Sequence, residues 1–515
     1  MGNEIKGITI VVIKGRNEGL VFENNRLISW CYVMGIRIVL PDKVEYILQK
    51  LNENNYDGYV VGGCVRDSIL GRQPGDYDIA TNALPNRVSE IFGPKKTMPT
   101  GIKYGTVTVI VDGETFEVTT YRIDLNYSDG RRPDEVVFTS SVNQELARRD
   151  FTINAMAYNH RVGLIDLFKG VQDIKNRIIR CVGNPYERFN EDALRMMRAV
   201  RFAAQLGFEI EKNTLHAIFI NKDLLAKVSS ERIMAELNKI LLSDNPAKVE
   251  ILFLTGLMNF IMPEFIGVST VKDYDGDNSY VDNNGKDNYD NEDNKNNDYD
   301  DEDDANAIAW HNIAKSLNFI EPILHLRMTM LLLGLLSGSF IQELMFVDMQ
   351  EKQKLTQNEL SKISERILRR LKYDNHIIAK VSSLIKYCSK DIEDDKISVR
   401  SLLGEMGEEL LKDLITVKKA IYKTRNKMHN EQENRILENV EKKINEIIIN
   451  KECFTIKDLS INGCTLLEMG FKGVEIGNLL KLLLDKVIKD PGLNTNEKLI
   501  EILNTKVQTQ DDIIK

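Results

Sequence analysis

YVVGGCVRDSILGRQPGDYDIAT, residues 59–81, is the stretch whose reading decides the fold. Tyr59-Val60-Val61 reads as a short buried strand, Gly62-Gly63 breaks it, and Cys64 to Leu70 follows as a short helix closed by Gly71. Two glycines at a strand-to-helix turn let backbone N–H groups face a ligand, and the helix start with Arg66 favours an anion there. A plain tight turn would use the same glycines. Asp76 and Asp78 then flank Tyr77 on what reads as a second strand, where positions i and i+2 point to one side. Paired carboxylates repel, and a divalent cation relieves them; Mg2+ prefers such oxygen ligands together with substrate phosphates. A solvated pair at a strand end has the same sequence.

Working outward, Asp42 to Asn52 carries Val44, Ile47, Leu48 and Leu51 at helical spacing, and strand patterns recur at Gly105 to Val111 and Thr115 to Arg122. Glu117, on the last of these, is either a third carboxylate for the pair or a cross-strand partner for a Lys or Arg. Jointly, a glycine phosphate turn, the Asp76/Asp78 pair and Glu117 describe a metal-dependent nucleotidyl-transfer site, with all three carboxylates catalytic and Asp76 and Asp78 as metal ligands. From about Asn184 strand patterns give way to successive amphipathic helices. The first part is therefore expected to be a small mixed, mostly antiparallel sheet with helices, and the rest all-helical, an α+β chain.

The 515 residues are enough for several domains, and the net charge of −9 is unevenly placed. Residues 269–305 hold 12 Asp, 2 Glu and 3 Lys, so this tract carries −11 and the remainder about +2. The tract cannot bury enough apolar surface to fold and is expected to be a disordered acidic insert. The near-neutral remainder is compatible with a polyanionic partner. Six scattered cysteines without a C-x-x-C pair point to reduced thiols and a cytoplasmic setting. The apolar run around Met328 to Leu336 is too short to span a membrane, and no secretory signal pattern opens the chain. Met34 reads as well as Met1 for a start, making residues 1–35 an extension.

Four strings in order, GGCVRD (62–67), GDYDIAT (75–81), ARRDFTINAMAYN (147–159) and EDALRMMRAVRFA (191–203), resemble the motifs of class II tRNA nucleotidyltransferases and bacterial poly(A) polymerases. The resemblance runs from about Ile36 to Ile261 and returns in the last segment. It implies a seahorse of head, neck, body and tail with a five-stranded head sheet: head 36–160, helical neck 161–268, the insert 269–305, helical body 306–450 and tail 451–515. It also implies that Asp76 and Asp78 bind metal and that Gly62, Gly63 and Arg66 form the triphosphate turn. Arg149, Asp150 and Asn154 would contact ribose and triphosphate, and Asp192 with Arg195 would recognise the base, Arg198 continuing the basic stripe toward phosphate. Asp192 and Arg195, at i and i+3, are expected to share one helical face, where a carboxylate acceptor and a donor fork can match the amine and ring nitrogen common to cytosine and adenine. Guanine and uracil present a carbonyl there and would leave acceptors unpaired.

Within the family, PTGIKYGTVTVIVDGETFEVTTYR (99–122), the loop string Tyr121 to Glu135 and the tail string DLSINGCTLLEMGFKGVEIGNLL (458–480) resemble the CCA-adding group. The implied activity is template-free addition or repair of the tRNA 3′-terminal C-C-A from CTP and ATP with Mg2+, releasing diphosphate. An A-adding enzyme or a poly(A) polymerase of the same family is the nearer alternative, a non-catalytic RNA-binding protein the more distant one. The partner implied is tRNA, gripped at its 3′ end, acceptor arm and elbow by the helices, with Arg366, Arg369, Arg370 and Lys372 as phosphate contacts or else a solvated face. Neither a membrane nor a protein partner is expected. Many relatives carry an L-L-H-D-I-G-K phosphohydrolase string; here Met330 to Ser337 lacks the His-Asp pair, so His311 and His325 are expected to be packing or surface residues.

Overall fold

The computed structural model describes residues 21–23, 26–28, 36–125, 133–265, 311–337, 356–424 and 427–504. Met34, residues 126–132 of the 121–135 loop and the acidic tract 269–305 lie outside the described residues. The chain divides into two compact units, Met1–Asn306 and Ala307–Lys515.

Unit one begins with a small hairpin, β1 (Val21–Glu23) and β2 (Arg26–Ile28), then α1 (Asp42–Glu53), β3 (Gly58–Val61), α2 (Gly63–Ile69), β4 (Asp78–Thr81) and α3 (Pro85–Phe92). The strands β5 (Thr97–Gly101), β6 (Thr106–Val111), β7 (Glu114–Thr120), β8 (Arg122–Leu125) and β9 (Glu135–Phe138) follow, then α4 (Val142–Ala147), β10 (Met156–Asn159) and β11 (Gly163–Asp166). The main sheet has the order β11-β10-β3-β4-β7-β6-β5, and only the β4–β7 pairing is parallel. It is mixed and mostly antiparallel as expected, but it has seven strands rather than five. The added edges are β5 and β11. Thr97–Gly101 contains Pro99 and a register irregularity, both tolerated only at an edge, so its sequence carries no clean alternation. Gly163–Asp166 pairs back onto β10 through a short turn, which takes the sheet past residue 160.

β3 is buried along its whole length because α1 packs Leu48 and Leu51 directly over Gly58, where a Cβ would stand 3.0 Å from Leu51. β6 and β7 are joined at Asp112-Gly113, both with positive φ, the combination a two-residue hairpin with the sheet's twist requires. After β11 come α5 (Gly170–Asn176), β12 (Ile178–Ile179), α6 (Pro185–Glu191), α7 (Leu194–Leu206), β13 (Glu209–Ile210), α8 (Lys212–Asn221), α9 (Ser230–Leu241), α10 (Glu250–Leu254) and α11 (Met258–Ile261). The two-residue strands β12 and β13 pair in parallel, the one strand interruption in this helical stretch among the described residues.

Unit two is helical among its described residues. Helix starts are fixed by side chains: Thr356 and Glu359 form a reciprocal capping box, while Asp374, Asp395 and Asn462 cap theirs. One core gathers Leu403, Leu411, Ile415, Leu437, Val440 and Ile444, and a second Leu466, Leu479, Leu483, Val487 and Leu499. The Met330–Ser337 string lies in helix Leu324–Ser337, where Gly334 meets Ile313 so closely that a Cβ would come to 2.5 Å. His325, on that helix, is not a loose surface residue. Its Nε2 lies 2.8 Å from Asp413 Oδ2, with Lys380 beside the same carboxylate at 3.9 Å. Gly470 and Gly473 make positive-φ turns, and Gly477 lies inside helix Val474–Lys489. No helix of the described residues is long and apolar enough to cross a membrane.

Candidate functional site

The sheet order brings the expected carboxylates together. β4 lies between β3 and β7, with Val61 opposite Asp78 on one side and Ile79 beside Val118 on the other, so Asp78 neighbours Glu117 across the parallel ladder. Asp76 precedes the strand rather than standing in it, because β4 starts at Asp78; the same-side argument from strand alternation therefore does not apply, and proximity comes from the turn. Asp78 is open to solvent on one side, yet burial pushes its carboxyl above the usual range, and the charges of Asp76 and Glu117 push it further while Arg149 pulls it back. Among the described residues no three His, Cys, Asp or Glu side chains form a ready-made metal cage. An open set of carboxylates in mutual repulsion fits a divalent ion that takes its remaining ligands from phosphate and water, which is how Mg2+ is usually held.

Beside this cluster is the glycine turn. Gly62 has φ +81°, and a Cβ there would lie 2.5 Å from Arg149 Nη1, so only glycine lets the guanidinium come this close. Gly62 caps α2 with no side chain on its first-turn N–H groups. Arg149 donates to Glu145 Oε1 at 3.2 Å, and its buried Nε has no hydrogen-bond partner among the described residues. Cys64, one residue past the Gly62-Gly63 pair, is inert: burial and the nearby Asp78 push its thiol up to about 12.

A continuous polar chain runs from the turn into the helices. Arg66 forks onto Asp67 at 2.9 and 3.0 Å and donates to Asn154 Oδ1 at 2.6 Å. Asn154 donates to Asp150 Oδ1 at 3.1 Å, and Asp150 Oδ2 accepts from Arg198 Nε and Nη2 at 2.8 and 2.6 Å. Burial alone would raise Asp150, but Arg198 and Asn154 hold it well below the usual carboxylate range. Burial works against the charge of Arg198, yet Asp150 holds it raised. Arg66, Arg198 and Arg201 all lie over the ring of Phe202, at 5.0, 5.4 and 4.1 Å from its centroid.

Asp192 and Arg195 do not share a helical face. Asp192 is extended (φ −145°, ψ 103°) between α6 and α7, because its carboxylate caps the start of α7 by accepting from Leu194 N at 3.1 Å. Its other oxygen accepts from Arg232 Nη2 of α9 at 2.8 Å, and Arg195 pairs with Glu191 and donates to the Arg188 carbonyl at 3.1 Å. Two residues escaped the sequence reading. Glu145 is fully buried and gathers Arg148 and Arg149; its spacing to them, three and four residues, was a helical signal in plain view. Arg232 reaches Asp192 from 40 residues away, and nothing local marks it. Of the basic cluster in unit two, Arg369 is taken by Glu365 at 2.7 Å, while Arg366 and Lys372 are exposed.

A strand-turn-helix, a carboxylate pair whose second member opens the following strand, and a third carboxylate across a parallel ladder define the nucleotidyltransferase class of heads. Three family models match the chain: "Poly A polymerase head domain" over residues 58–180, "Probable RNA and SrmB- binding site of polymerase A" over 207–266, and "tRNA nucleotidyltransferase domain 2" over 355–503, together more than half of it. The chain belongs to the tRNA nucleotidyltransferase and poly(A) polymerase family. It is 50% identical over 219 residues to the CCA-adding enzyme of Pediococcus pentosaceus, covering 42% of this chain and 55% of that one. With the CCA-adding enzyme of Lactobacillus helveticus it shares 47% over 231 residues, 44% of this chain and 57% of the other. The chain thus spans about half the length of the curated relatives it matches. The crystal structure of the Bacillus stearothermophilus CCA-adding enzyme in complex with CTP matches with a TM-score of 0.67 and 26% identity, over 92% of this chain and all of that one.

Proposed function

We propose that this chain is a CCA-adding tRNA nucleotidyltransferase, extending the tRNA 3′ end with C, C and A from CTP and ATP without a template. The observation that carries the reading is the convergence of Asp76, Asp78 and Glu117 beside Arg149 and the Gly62 turn. The names of the relatives and the CTP complex of the structural neighbour support it. Asp76 and Asp78 would hold Mg2+, which when bound supplies positive charge to the phosphates and lowers the pKa of an attacking hydroxyl. In the overall reaction the tRNA 3′-hydroxyl oxygen bonds to the α-phosphorus, the α–β anhydride breaks and diphosphate leaves. Arg149, with an Nε that has no protein partner among the described residues, is suited to a phosphate oxygen. Arg66 is committed to Asp67 and Asn154, so its role in this reading is to fix the turn rather than to grip phosphate alone. Asp192 and Arg195, each held by a separate ion-pair partner, would read the amine and ring nitrogen of C or A. The six scattered cysteines, with no C-x-x-C pair, suit a reducing setting, and we place the enzyme in the cytoplasm.

The deciding experiment supplies tRNA ending before, within and after the C-C-A, with CTP and ATP separately. The reading predicts C on the two shorter forms, then A. If only A is added, to tRNA already ending in C-C, the A-adding alternative holds; long A tails indicate a poly(A) polymerase, and no addition a binding protein.

A further inference from the structure

Resting on the assignment of Asp192 to the base, we infer that Arg232 is a positioning residue for nucleotide selection, acting through Asp192 from a helix outside the sequence motifs. A carboxylate accepts hydrogen bonds along about four lone-pair directions. Asp192 has one oxygen on Leu194 N at 3.1 Å and the other on Arg232 Nη2 at 2.8 Å, with the two side chains only 15% and 21% exposed. Two donors on opposite oxygens fix the rotation of the carboxylate plane, and so fix where its remaining acceptor directions lie. The backbone at Asp192 is extended rather than helical, so no helix geometry does this for it. Arg232 is itself well placed to be rigid. It sits on α9, whose next turn brings Glu236 to 3.2 Å from Arg201 of α7, so α9 meets the neck at both ends of one ion-paired rail.

Discrimination between an amine and a carbonyl depends on the acceptor pointing at the base edge, and a carboxylate free to rotate or to recruit water tolerates the wrong partner. The charge and planar fork of Arg232 should therefore matter to selectivity more than to turnover.

The test measures kcat/KM for single addition of CTP, ATP, UTP and GTP to tRNA primers by the full chain and its Arg232→Gln, Arg232→Lys and Asp192→Ala variants, with thermal melts of each. Arg232→Gln should lower discrimination against UTP and GTP by about tenfold, and Arg232→Lys, which keeps the charge but not the fork, by about threefold. A Gln or Lys variant that discriminates like the wild type, or that slows all four nucleotides equally, overturns the inference. The Asp192→Ala control separates the two layers. If it loses discrimination while the Arg232 variants keep theirs, this inference alone fails; if it too discriminates normally, the base-reading assignment beneath it falls.

Discussion

At Gly62 a single hydrogen atom makes room for a guanidinium. Gly62→Ala would place a methyl group 2.5 Å from Arg149 Nη1 at φ +81° and ψ −128°, a sparsely populated conformation that costs an alanine roughly 1–3 kcal/mol before the clash is counted. Denaturant unfolding should show at least that loss, and the displaced Arg149 should weaken CTP binding. Asp78 sits against the interest of the fold at neutral pH. Its folded-state pKa is raised by burial and by Asp76 and Glu117, so the stabilising protonated form is present below about pH 3.9 and its benefit is lost as the pH rises through the folded value. At neutral pH the ionised carboxylate works against the fold. Asp78→Asn should accordingly melt higher than the wild type in the absence of metal, yet lose about a thousandfold or more in nucleotide incorporation. Asp150 has the opposite sign. Arg198 holds it low, so its stabilisation is present above about pH 3.9 and fades as the pH falls further. Asp150→Asn leaves Arg198 half-buried without its carboxylate and should cost about 3 kcal/mol, read from urea unfolding.

Elements are placed by rules of differing reach, and this governs what the sequence could tell. Strands β3, β4, β6 and β7 and the helices α1 and α2 are visible as local patterns, and they bring Asp78 and Glu117 onto neighbouring strands. The edge strand β5 is not visible, because Pro99 and a register irregularity erase its alternation. Asp192 falls off the helix its sequence suggests for a related reason: EDALRMM has helical composition throughout, but the capping bond from Leu194 N stops α6 and restarts the chain as α7. The Asp150–Arg198 pair joins residues 48 positions apart and Asp192–Arg232 spans 40, distances over which no local pattern carries information. Caps are the opposite case. Thr356 and Glu359 satisfy each other's backbone within four residues, and Thr356→Ala should destabilise unit two by about 1 kcal/mol without changing CTP binding to unit one.

For the whole molecule, the net charge of −9 conceals a near-neutral remainder around the 269–305 tract. If tRNA is held through its phosphates, binding measured by filter retention should fall at least tenfold between about 50 and 200 mM salt, with log affinity linear in log salt concentration. A salt-independent affinity would point to recognition of another kind. The site described here is built wholly from unit one, so nucleotide binding should report on that unit directly. The most direct measurement is a crystal structure of the full chain with CTP and Mg2+. The account predicts an ion about 2.1 Å from carboxylate oxygens of Asp76 and Asp78, bridging to the nucleotide phosphates beside Arg149 and Gly62, with cytosine against Asp192 and Arg195. A nucleotide bound elsewhere, or phosphates bound there with no ion on those two aspartates, would contradict it.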